Sequence, residues 1–154
     1  MKRTGLILMV VLGIVLLTGT LYGQTANQTI NLTIGSVMLV APDAASHSLS
    51  ITTGTVDQIA LTPATAAGTY RWVTNQAPTK ITAELDSDMP AGSTLQLRIG
   101  AGAFSPLTTA PTDVRTGMPR GAGNEDYTFQ FTANATVDPA SIPASKTVTW
   151  TITN

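Results

Sequence analysis

Residues 146–154 read KTVTWTITN. Val148, Trp150 and Ile152 fall on one side of an extended chain. Thr147, Thr149, Thr151 and Thr153 fall on the other. Period-two alternation of β-branched and aromatic residues with threonine predicts a half-buried β-strand. The same period recurs upstream. TINLTI (29–34) aligns Ile30, Leu32 and Ile34, and HSLSIT (47–52) aligns Leu49 and Ile51. DQIALT (57–62) is a weaker strand. GTYRWVTN (68–75) carries Tyr70 and Trp72, and KITAEL (80–85) carries Ile81, Ala83 and Leu85. STLQLRI (93–99) and DYTFQFTA (126–133) complete the set. Proline, glycine and aspartate clusters punctuate these runs, as at Pro42-Asp43, Asp88–Gly92 and Pro139–Pro143. The region 100–124, with three prolines and five glycines, reads as a long connection holding one irregular strand near 113–116. Short strands at this spacing, with no helical period after the first residues, predict an all-β chain. Its expected form is an antiparallel β-sandwich, Ig-like or pilin-like, of seven to nine strands.

The first residues have a different character. Lys2 and Arg3 precede an unbroken apolar run, Leu6 to Leu17, softened by Thr18, Gly19 and Thr20. A helix of twelve residues is too short for a hydrocarbon core of about 30 Å. A charged start, a run of this length and small residues after it predict a secretory signal over 1–23. Cleavage after Gly23 is expected, with Thr20 and Ala26 as alternatives. A rival reading is a type IV pilin-like leader cut after Gly5, which would retain the apolar helix. The acidic residue that bacterial pilins carry shortly after that cut is missing here. Residues 24–154 are then a single domain, secreted or displayed at the cell surface, with no membrane segment after cleavage. Within it, 27–40 is an N-terminal strand available for exchange.

Composition narrows the function classes. From Gln24 onward six basic residues face nine acidic ones, and no basic patch points to nucleic acid. Cysteine is absent, which excludes disulfides, a lipid-anchor cysteine and thiolate metal sites. Threonine dominates, with 27 residues, and only 11% of the chain is charged. Such a surface suits pleated sheet and leaves strand edges poorly guarded against association.

YRWVTNQAPTKITAELDSDMPAGSTLQLRI (70–99) carries a resemblance. Thr74-Asn75, Lys80-Ile81, Asp86–Pro90, Gly92 and Thr94-Leu95, then TTAPTDVRTGM and KTVTWTITN, make the chain similar to a family of short secreted bacterial proteins of unassigned function. The resemblance implies a secreted single-domain β-sandwich and brings no catalytic residues. ANQTINLTIGSVMLV (26–40) more loosely resembles the N-terminal extension of pilin subunits that assemble by donor-strand exchange. The chain lacks the cysteine pair and the penultimate tyrosine of chaperone–usher pilins. The likeness is therefore to strand exchange as a physical device, not to that assembly pathway.

Few residues suggest chemistry. His47 is the only histidine, no G-x-S-x-G elbow occurs, and His47 is expected to be an exposed polar residue. Glu84, Asp86 and Asp88 are the best acidic constellation. Clustered hard oxygen ligands make them weak calcium candidates, while Asp88 before Pro90 and Gly92 reads more simply as turn chemistry. Asn27, Asn31 and Asn134 begin N-x-T sequons, frequent by chance in a chain rich in Asn and Thr. Tyr70, Trp72, Tyr127 and Trp150 could stack on a sugar, but aromatics at alternate strand positions more often build a core. No cofactor, metal or catalytic residue is expected.

The expectation is a secreted non-enzymatic structural protein. It would form a subunit of an extracellular filament, pilus or surface layer, joined to its own copies by β-strand addition. Ile30, Leu32 and Ile34 are the expected assembly strand, and Val148, Trp150 and Ile152 the C-terminal core strand. The alternative is a monomeric adhesin-like module whose partner is a surface glycan.

Overall fold

The computed structural model describes residues 28–143 and 145–154. The expected signal over 1–23 and Asn27 lie outside them. Residues from Gly35 onward form one compact unit. It is an antiparallel β-sandwich of eight strands among the described residues: β1 (Met38–Pro42), β2 (Ala64–Thr74), β3 (Thr79–Leu85), β4 (Ser93–Ile99), β5 (Ser105–Pro106), β6 (Thr112–Met118), β7 (Gly121–Ala133) and β8 (Val148–Thr153). One sheet has the order β1-β2-β7-β4-β5, and the other β6-β3-β8.

The spine of the larger sheet is β2 against β7, in register over eleven pairs from Ala64↔Phe131 to Thr74↔Gly121. β4 joins the other side of β7, from Ser93↔Ala133 to Ile99↔Tyr127. The turn into β4 uses Gly92 at φ 82°, a left-handed conformation that glycine adopts without a Cβ penalty. In the smaller sheet β3 is the centre. It pairs with β8 in unbroken register from Lys80↔Thr153 to Leu85↔Val148. Its pairing with β6 is irregular. The core lies between the sheets. Tyr70, Leu95, Leu97, Tyr127 and Phe129 face Ile81, Ala83, Leu85 and Ile152 across it. β3 therefore shows the strict buried–half-buried alternation that its sequence predicts, and β4 shows it from Ser93 to Arg98.

Three expectations need correction. Residues 47–52 and 57–62 form no strand; the second contributes only isolated bridges, Gly54↔Leu61 and Ala60↔Asn134. In 47–52 the alternation survives without a ladder. His47, Leu49 and Ile51 are half-buried while Ser48 and Ser50 are exposed. Period two reports which side of an extended chain meets the core and says nothing of a backbone partner. TINLTI is likewise outside any strand. Of the 27–40 segment, Met38–Val40 belong to β1 and pair with Trp72–Thr74. The region 100–124, read as a connection with one strand, holds β5, β6 and the first residues of β7. Its glycines mislead. Gly123 lies opposite Trp72, where a Cβ would stand 3.0 Å from the indole. Glycine is there to seat a large ring across the ladder, not to break the strand.

Candidate functional site

Three strands cannot cover five. The uncovered inner face of the larger sheet forms a groove of about 790 Å³. β1 stops at Pro42, so a loop rather than a strand borders the groove on that side. Leu95, Phe129 and Phe131 line the floor, and Val148 and Trp150 of β8 form one wall. The loop 43–49 forms the other.

That loop is fastened by His47. Its Nε2 lies 2.6 Å from the Tyr127 hydroxyl, and its ring meets Tyr127 edge-on at 5.5 Å between centroids. It also packs on Phe129 at 5.7 Å. The Tyr127 hydroxyl reaches Asp43 Oδ1 at 3.5 Å. The Thr69 backbone, then the Thr69 hydroxyl at 3.0 Å, hold the Asp43 carboxyl below its ordinary range. Tyr127 is pushed up, first by burial and then by the Asp43 charge. Gly68 permits the arrangement, because a Cβ there would stand 2.6 Å from the Tyr127 hydroxyl. His47 is thus half-buried and structural, not the exposed residue that its loop context suggests. Sequence reasoning missed the latch because Asp43, His47 and Tyr127 are joined only by the fold.

The aromatics are core and wall. Tyr70 and Tyr127 are buried, and Trp150 packs on both at 5.4 Å between centroids. Trp72 is half-buried against the core. The Tyr70 hydroxyl donates to Glu125 Oε2 at 2.9 Å, and Arg115 Nε donates to the same carboxylate at 3.1 Å. Burial, with Glu125 beside it, pushes Tyr70 well above the usual phenol range.

The acidic trio does not gather. Among the described residues no group of three His, Asp or Glu side chains could hold a metal. Glu84 lies on β3 opposite Thr149, and Asp88 Oδ1 accepts from the Thr109 N–H at 3.1 Å. The positive charge at this turn is the Lys146 ammonium. It donates to Ser87 O at 2.8 Å, Ser87 Oγ at 2.6 Å and Asp88 O at 2.9 Å. Asn134 is also engaged locally, accepting from the Thr136 N–H and hydroxyl.

The residues expected to form an assembly strand and a core strand are placed differently. Val148 and Trp150 are half-buried and Ile152 is buried, all facing the larger sheet, while Thr149 and Thr151 face solvent. β8 is a sheet edge, paired on one side by β3. Ile30, Leu32 and Ile34 are 70%, 88% and 86% exposed. No family model matches this chain, and no curated protein matches it either.

Proposed function

We propose that the chain is a secreted, non-enzymatic structural protein, a subunit of an extracellular filament, pilus or surface layer in which copies join by β-strand addition. One observation carries the reading: three large apolar side chains stand at alternate positions of a segment outside any strand, all exposed. Monomeric soluble proteins seldom leave such a row uncovered. The supporting features are the charged-then-apolar start at Lys2 to Leu17, the absence of cysteine and the 11% charge content. Strand addition satisfies edge backbone groups and buries one face of the added strand. Burial contributes about 1.5–3 kcal/mol for each of the three side chains. Each new backbone bond adds about 0.5–1.5 kcal/mol. Association costs on the order of 4–15 kcal/mol. The apolar row alone does not clear that cost with margin, so a persistent polymer needs the row and the ladder together.

The groove favours a second reading, a monomeric module that binds a surface glycan between Asp43, His47 and Lys146. Electron micrographs and sedimentation of the purified secreted chain separate the two. Filaments or large regular assemblies are expected. A uniform monomer that binds glycans would replace the first reading with the second.

A further inference from the structure

We infer that residues 44–52, AASHSLSIT, are a strap that closes over the groove and opens as a unit, and that the contact between His47 and Tyr127 is its latch. The device stands whether the chain works as a structural subunit or as a binding module.

Both ends of the strap are tied to the sandwich. Before it, the Asp43 N–H donates to Thr69 O at 2.9 Å. After it, a turn closed by the Thr62 N–H on Thr53 O is joined to β7, where the Leu61 N–H donates to Ala133 O at 3.0 Å. Between these anchors, among the described residues, 44–52 makes no backbone-to-backbone hydrogen bond with any element. What holds it is an inward row, His47, Leu49 and Ile51, with Ser48 and Ser50 exposed between them. Burial of that row favours the closed position. A segment without a ladder nevertheless opens at lower free energy than the sheets beside it.

The base of the latch stays behind when the strap lifts. Tyr127 lies in β7, which is laddered to β2 on one side and β4 on the other. The 2.6 Å contact of His47 Nε2 with its hydroxyl is the only side-chain hydrogen bond from 44–52 to another element among the described residues. Opening leaves no orphan. The Tyr127 hydroxyl keeps Asp43 Oδ1, which lies in the anchor, and the imidazole passes to water. A buried polar group stripped of its partner is what makes such an opening costly, and none is created here.

The facing wall of the groove has no such freedom. β8 pairs with β3 along its length, and Lys146, just before it, is tied to Ser87 and Asp88. The movable wall is therefore the strap. Beneath it lie Tyr127 and Phe129, 1% and 7% exposed, with the His47 ring packed on both. Lifting the strap joins them to Leu95 and Phe131 as one wider apolar floor.

The test uses the purified full chain, whose lack of cysteine makes an introduced thiol the only one. Leu49→Cys places it on the inward side of the strap, and Leu97→Cys places it in the fully buried core. The rate of reaction with an aromatic disulfide reagent reads opening at each position. The Leu49→Cys thiol should react faster than the Leu97→Cys thiol and slower than either in urea. Adding Tyr127→Phe, which deletes the latch hydroxyl and keeps the ring, should raise the Leu49→Cys rate about fivefold and leave the Leu97→Cys rate unchanged. His47→Ala removes the ring contacts as well and should raise it further. Nile red, an uncharged apolar dye, should brighten with both latch variants more than with the parent chain. Rates that rise together at the two thiols would mean that 44–52 leaves only when the sandwich unfolds, and would overturn the strap. A Leu49→Cys rate unmoved by either variant would overturn the latch. Faster labelling without added dye binding would overturn the groove as the surface uncovered.

Discussion

Two tyrosine hydroxyls tie the stability of the sandwich to pH. In Tyr70 and Tyr127 burial disfavours the phenolate, and Glu125 and Asp43 add like charge. The folded state therefore binds both protons more tightly than an unfolded chain, whose tyrosines titrate near pH 10. The stability these groups contribute is fully present below about pH 10 and is lost as pH rises beyond it. Thermal melts at about pH 9 and pH 11 should show a clear fall at the higher value. Tyr70→Phe should lower stability at pH 9 by about 1 kcal/mol, because the Glu125 bond goes, and should flatten the alkaline fall. Equal slopes in the two proteins would show that Tyr70 is not a source of the effect. At this scale sequence and structure part company over His47. A lone histidine between serines carries no sign of its partner 80 residues away. Contacts of that separation exist only once β7 has been placed beside the 43–49 loop.

At the scale of elements, β8 decides whether the sandwich closes. It supplies Trp150, which packs on both central tyrosines, and it pairs with β3 along six residues. Deleting residues 147–154 should remove the cooperative thermal transition, read by circular dichroism, since Tyr70, Tyr127 and Ile81 would lose their cover. A truncated chain that melts like the full one would show β8 to be dispensable. β3, β4, β7 and β8 were legible in the sequence because each is buried on one face, which makes alternation a faithful signal. Residues 47–52 show the limit of that signal. Their alternation reflects real one-sided burial, yet no strand pairs with them. β6 and the start of β7 were obscured for the opposite reason. Pro111, Gly117, Pro119, Gly121 and Gly123 look like loop residues. They nonetheless flank or sit in ladders because an irregular edge and the Trp72 indole need what they offer.

For the whole molecule, the decisive quantity is the balance between apolar surface and charge. Eight basic and nine acidic residues give a formal charge of −1 over 154 residues, and the only ion pairs between side chains among the described residues are Lys80–Asp113 and Arg115–Glu125. Neither pair involves residues 28–34. The proposed contact is then made of backbone hydrogen bonds and buried Ile30, Leu32 and Ile34, neither of which depends on long-range charge. Raising sodium chloride to about 1 M shortens the screening length to about 3 Å, enough to dissolve an assembly held by surface ion pairs. It leaves apolar burial intact, and strongly hydrated salts such as sulfate strengthen it. Sedimentation of the purified chain should therefore show the same assembly at low and high sodium chloride, and more of it in sulfate. Urea should act the other way, since it solvates both apolar and peptide groups. It should release single subunits before the intrinsic fluorescence of Trp72 and Trp150 reports unfolding. The joint offers three side chains and one strand, whereas each subunit has two packed sheets. Dissociation by sodium chloride alone would mean that charge holds the copies together, and the surface joining them would then lie elsewhere than the row of Ile30, Leu32 and Ile34.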